Sequence, residues 1–153
     1  MSAVRVSIDL PAPPDEVWDV IMDPHQMERW VTIQRELTAA DDGPPRVGFT
    51  MAQRYAIRGA PVNVSWVLES LDRPRTAVWR GTGPAGASAL IEYHLVPVAD
   101  GTRTRFDYVN DFAAPMGLLG RVASRALMGG TPEREAVQSL ELLRDLLAAR
   151  HTA

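Results

Sequence analysis

The side chains best able to do chemistry in this chain are neutral, and they recur at alternate positions of short runs. Gln53 and Tyr55 form one such pair. Trp66, Trp79 and Tyr93 follow, and Phe106, Tyr108 and Asn110 close the series. Phenols, amides and indoles exchange hydrogen bonds without titrating near neutrality, so their natural chemistry is to bind and orient. Large apolar area with a few converging polar tips is the composition of a small-molecule pocket. The alternative is a packed core in which each hydroxyl and indole N–H meets a backbone partner. Three tyrosines, Gln53 and Asn110 are many polar groups to satisfy in a dry interior, so the group favours a cavity.

Other chemistries find less support. The chain has no cysteine, which removes thiol nucleophiles, disulfides and cysteine metal sites. His25, His94 and His151 make no cluster with metal-ligand spacing, so neither a metal nor a cofactor is expected. Glu92 and His94 share a strand face, as an acid–base pair could, but that face reads as solvated. The glycines at 81, 83, 86, 129 and 130 form no phosphate-binding motif. Ser65, Ser70 and Ser88 lack a nucleophile-elbow context. No catalytic residue is assigned.

The alternating runs must be strands. Ala3 to Leu10 alternates Val4, Val6, Ile8 and Leu10 with Arg5, Ser7 and Asp9, and the prolines from Pro11 to Pro14 stop it. Asp15 and Glu16 suit the start of a short helix through Met22, and Asp23-Pro24 can cap a second turn ending on Trp30. Six strands are then expected: Ile33 to Ala39, Val47 to Arg58, Val62 to Leu71, Thr76 to Thr82, Ala87 to Val98 and Thr102 to Phe112. Short turns join them, including Asp41-Asp-Gly-Pro-Pro and Ala99-Asp-Gly, which implies an antiparallel meander. Phe49, Met51, Gln53, Tyr55 and Ile57 should share a face, while Arg54, Arg58, Arg80, Arg103 and Arg105 should sit on the outer one.

The C-terminal stretch reads as helix. Met116, Leu119, Val122, Ala123, Ala126 and Leu127 make one apolar stripe, and Val137, Leu140, Leu143 and Leu147 make another. Gly129-Gly130 before Thr131-Pro132-Glu133 predicts a break or sharp kink, with Pro132 at a first helical position. The segment from Pro115 to Gly120 reads as a lid, with Met116 and Leu119 as an adaptable apolar entrance.

Bulk properties narrow the class. With 153 residues, 46% hydrophobic and 23% charged, the chain reads as one globular domain over residues 1–153. A net charge of −3 without a basic block argues against nucleic acid. No stretch approaches the roughly 18 consecutive apolar residues of an integral membrane segment. The N-terminus lacks a basic region followed by an apolar core, so a cytoplasmic protein, monomer or homodimer, is expected.

A strand running into Pro-Ala-Pro-Pro-Asp-Glu-Val-Trp-Asp-Val-Ile (residues 11–21), then Asp23-Pro24 and Trp30, resembles the opening of the START-like superfamily. It is most similar to the polyketide cyclase/dehydrase and lipid-transport group. The segment Leu71-Asp-Arg-Pro-Arg-Thr-Ala-Val-Trp-Arg-Gly and the terminal amphipathic helix fit the same family. The resemblance implies an α+β helix-grip fold: a curved antiparallel sheet around a long C-terminal helix, two short helices after the first strand, and a cavity between sheet and helix. It also implies a hydrophobic or amphipathic ligand such as a lipid, polyketide or aromatic metabolite. The cavity should take in Trp30, Gln53, Tyr55, Trp66, Trp79, Tyr93, Phe106, Tyr108, Asn110, Met116 and Leu119. Binding is the leading expectation. The alternative is a metal-free aromatase/cyclase or dehydratase using the same cavity, for which the sequence offers no evident base.

Overall fold

A computed structural model describes residues 3–57, 59–113 and 132–152. Strand β1 (Ala3–Leu10) leads into helix α1 (Pro14–Ile21) and a 3-10 turn (Pro24–Arg29). Six strands follow: β2 (Gln34–Ala40), β3 (Thr50–Ile57), β4 (Ala60–Asp72), β5 (Thr76–Thr82), β6 (Ser88–Val98) and β7 (Arg103–Ala113). Helix α2 (Pro132–Thr152) closes the described chain. The seven strands form one antiparallel sheet in the order β1-β7-β6-β5-β4-β3-β2. Sequential hairpins make the meander, and β1 returns to the edge of β7. This is the expected helix-grip architecture.

Local chemistry sets the elements at the N-terminus. Pro14 begins α1, where its missing N–H is harmless, with Asp15 and Glu16 in the first turn. The Asp23 carboxylate accepts from the His25 N–H and caps the following turn, as the sequence predicts. Trp30 ends that turn and is buried.

Alternation holds along most strands. Phe49, Met51, Gln53 and Tyr55 are buried on the inner face, joined by Trp66 and Leu68 of β4, Ala77 and Trp79 of β5, and Tyr93 and Leu95 of β6. Two strands break the period. In β2, register shifts between Gln34 and Glu36 and between Leu37 and Ala39 put Gln34, Leu37 and Ala40 opposite Tyr55, Gln53 and Met51. Directly opposed residues of an antiparallel pair share a face, so β2 turns every third residue inward. In β4 a shift between Leu68 and Ser70 brings Leu71 opposite Ala77. The strand thereby keeps a leucine, rather than Ser70, against the core.

Helix α2 packs against β1 and buries Ala136, Leu140, Leu143 and Leu147. The expected stripe is corrected at one position, because Val137 is 38% exposed. Spacings of four, three and four from Ala136 keep one side of a 3.6-residue helix, whereas Val137 is rotated one residue off it. The expected stripe from Met116 to Leu127, the break at Gly129-Gly130 and the lid from Pro115 to Gly120 lie outside the described residues.

Candidate functional site

Between the inner sheet face and α2 the described residues enclose a space of about 50 Å³. Strands β3 to β7 supply Met51, Gln53, Tyr55, Trp66, Trp79, Ile91, Tyr93 and Tyr108 to its wall. The Pro24 turn and the residues after it supply Met27, Trp30 and Val31, and α2 supplies Ala136, Ser139 and Leu140. Seven of the residues expected from sequence therefore meet here: Trp30, Gln53, Tyr55, Trp66, Trp79, Tyr93 and Tyr108. Phe106 stands behind them, edge-on to Tyr93 with centroids 5.4 Å apart. Asn110 is half-buried on the same face, two residues beyond Tyr108. Met116 and Leu119 lie outside the described residues.

Close approach of backbone positions Trp66. Gly81 sits opposite it in the sheet register, and a Cβ there would fall 2.6 Å from the indole ring. Only glycine leaves the ring that room.

The polar tips divide into two groups. One group is satisfied internally. The Tyr55 hydroxyl donates to Gln53 Oε1 and accepts from Trp66 Nε1 at 2.9 Å. Gln53 Nε2 then donates to the thioether of Met27 at 3.1 Å and lies 3.7 Å from that of Met51. This chain runs from β4 across β3 to the Pro24 turn without a backbone partner.

The second group is left open. Trp30 Nε1, Trp79 Nε1, Asn110 Oδ1 and both polar atoms of Gln34 are buried without a partner among the described residues. Buried polar groups in native proteins are nearly always paired, and each exception asks for a cause. The two indoles are at the cavity wall. Gln34 is on the inner face of β2, a position the period-two reading of that strand could not find because two bulges change the period.

Burial fixes the protonation of the phenols. It raises Tyr93 well above the ordinary tyrosine range and raises Tyr55 as well, against a lowering hydrogen bond from Trp66. Tyr108 is pushed up to about 12 by burial, with a hydrogen bond from the Asn110 side chain pulling the other way. All three stay neutral at physiological pH and can donate hydrogen bonds. No His, Asp or Glu is among the described residues lining the cavity. Glu92 and His94 pair with each other at 3.1 Å on the outer face.

A polar clasp holds α2 over this wall. The Thr32 N–H donates to Ser139 Oγ at 3.1 Å and its hydroxyl donates to Glu135 Oε2 at 2.6 Å. Sequence reasoning did not count Ser139, Met27 and Met51 among the cavity residues. The helical phase that buries Leu140 and Leu143 could have flagged Ser139, and the alternation through Gln53 had already placed Met51 inward.

The antiparallel sheet packed on α2 defines a helix-grip fold. The chain belongs to the polyketide cyclase / dehydrase and lipid transport family, which matches residues 1–148. It is 24% identical over 139 residues to the Mycobacterium tuberculosis protein named Toxin Rv0910, covering 91% of this chain and 95% of that one. Among solved structures it resembles the Zhui aromatase/cyclase from Streptomyces sp. R1128, with a TM-score of 0.79 at 19% identity, covering 97% and 94% of the two chains. A START superfamily protein from Mycobacterium smegmatis gives a TM-score of 0.73 at 15% identity, covering 95% and 98%.

Proposed function

We propose that this chain binds an aromatic or amphipathic small molecule carrying oxygen acceptors, held between the inner sheet face and α2. One observation carries the reading: the indole N–H groups of Trp30 and Trp79 are buried at the cavity wall without partners among the described residues. An indole nitrogen only donates, so a carbonyl, ether or hydroxyl oxygen completes it. Tyr93 and Tyr108, neutral and at the same wall, add donors. The enclosed 50 Å³ is far below the several hundred Å³ of a typical ligand pocket, so binding requires the walls to part. Met27 and Met51 supply adaptable wall, because an unbranched thioether repacks readily. Burial of ligand apolar surface would contribute about 25 cal/mol per Å² before the costs of ordering.

A second reading is catalysis on a polyketide-like chain, favoured by neutral phenols able to polarise a carbonyl. The described wall lacks a carboxylate or imidazole to take a proton, which supports binding over turnover. Thermal-shift and tryptophan-fluorescence assays with a panel of fatty acids, sterols and polycyclic quinones test the proposal. Stabilisation by an oxygenated aromatic, with quenching, is the expected result. A panel that moves neither signal contradicts it. Turnover abolished in Tyr108→Phe with binding retained would instead select the enzyme reading.

A further inference from the structure

A second concavity shares no lining residue with the interior. It is a cleft of about 720 Å³ bounded by α1, the start of the Pro24 turn, the end of β2 and the loop after it. Its floor is apolar, with Trp18, Met22 and Phe49 among the lining side chains. Its rim is acidic on balance: Asp19, Asp23, Asp41 and Asp42 outnumber Arg73, which pairs with Asp19 at 2.9 Å, and the neighbouring Arg46, whose guanidinium reaches the Asp42 carbonyl and lies over the Phe49 ring. The Thr50 backbone and hydroxyl hydrogen bonds hold the Asp41 carboxyl below its usual range and keep it ionised.

The third wall is backbone. Strand β2 ends the sheet, so one side of it has no strand partner among the described residues, and Leu37 to Ala40 of that strand line the cleft. An unpartnered edge offers N–H and C=O groups that fit another extended chain better than any compact molecule, and the register shift between Leu37 and Ala39 interrupts that row once. Pro44 and Pro45 fix the φ angles of the adjoining loop, which lowers the ordering cost of docking.

We propose that this cleft receives an extended basic segment of a partner polypeptide, which adds as a strand to the open edge of β2. Lysine or arginine at alternate positions would face the carboxylates, with the intervening apolar side chains on the Trp18 and Phe49 floor. A second copy of this chain is disfavoured because two acidic rims would meet.

The test uses the full chain, isotope-labelled for NMR, with three nine-residue probes. These are an alternating Lys–Val peptide, a Glu–Val counterpart, and the Lys–Val peptide N-methylated at alternate amides. The Lys–Val peptide should shift the amides of residues 37–42. Its affinity should fall at least tenfold with the Glu–Val probe or the N-methylated probe, and several-fold on Asp42→Lys. Because a variant can misfold, the wild type should also lose affinity as salt rises from about 0.05 to about 0.5 M. No binding by the Lys–Val peptide, equal binding by Glu–Val, or shifts confined to other residues overturns the proposal. Full affinity of the N-methylated peptide also overturns it, leaving a cation site without strand addition. Shifts at 37–42 that appear on raising protein concentration alone overturn it in favour of self-association.

Discussion

The two faces of the same sheet handle polar groups in opposite ways. The outer face carries exposed ion pairs: Arg54 with Glu36 at 2.8 Å, Arg80 with Glu69, and Arg105 with Asp107 at 3.3 Å. On the inner face the polar groups are neutral and buried, and only some are paired. Tyr55, Gln53 and Trp66 satisfy one another, while Trp30, Trp79 and Gln34 keep unpartnered atoms among the described residues. Exposed ion pairs gain little, because water competes for both partners. Buried neutral groups left open each cost about 1–3 kcal/mol. A core built only for stability would place leucine or phenylalanine there, which supports the proposed binding role of the inner face.

The comparison can be broken most severely at Trp79, which is 1% exposed and packs edge-on to Phe49 at 6.2 Å. Trp79→Ala should lower unfolding free energy by about 3–5 kcal/mol in a denaturant titration. Alkali probes the same face without mutation. All three tyrosines of the chain are inner-face residues with raised folded-state values. An unfolded tyrosine loses its proton near pH 10, whereas Tyr108 holds it to about 12. Above pH 10 the unfolded state therefore binds fewer protons, so stability present below that pH is lost as pH rises toward 12. Phenolate absorbance near 295 nm should appear only together with unfolding. A phenol titrating near pH 10 in the folded protein would contradict the burial.

Tyr55→Phe should cost less, about 1–3 kcal/mol, because it strands Gln53 Oε1 and Trp66 Nε1 in the core. Thermal melts of this variant beside wild type would measure the internal chain directly. The outer face provides the lower bound. Arg54→Ala and Glu36→Ala, singly or together, should leave the melting temperature within experimental scatter. A double-mutant coupling as large as that of the inner chain would erase the distinction between the faces.

Much of this contrast was legible in the sequence, because a strand with one buried face must alternate. Phe49 through Tyr55 and Ala77 through Gly81 show their inner residues by spacing alone. The reading failed where geometry departs from the period. Bulges in β2 hid Gln34, and a one-residue error of helical phase put Val137 in place of Ala136. Pairing was not legible at all. Tyr55 and Gln53 looked like groups available to a ligand, yet each spends its hydrogen bonds on the other and on its neighbours. The indoles of Trp30 and Trp79, expected at the cavity wall, carry the donors left without a partner among the described residues. Which polar atom meets which depends on contacts between distant strands, and spacing along one chain carries no record of them.

Whether those open donors recognise oxygen acceptors can be read in one quenching titration of tryptophan fluorescence. The probes are 1,8-dihydroxyanthraquinone and anthracene, similar in ring system but differing in acceptors. Binding of the quinone at one per chain, at least tenfold tighter than anthracene and weakened in Tyr108→Phe, is the predicted result. A tenfold ratio corresponds to about 1.4 kcal/mol, the scale of one or two net hydrogen bonds. Equal affinity for the two probes, or none for either, would contradict the assignment of the inner face as an acceptor-binding site.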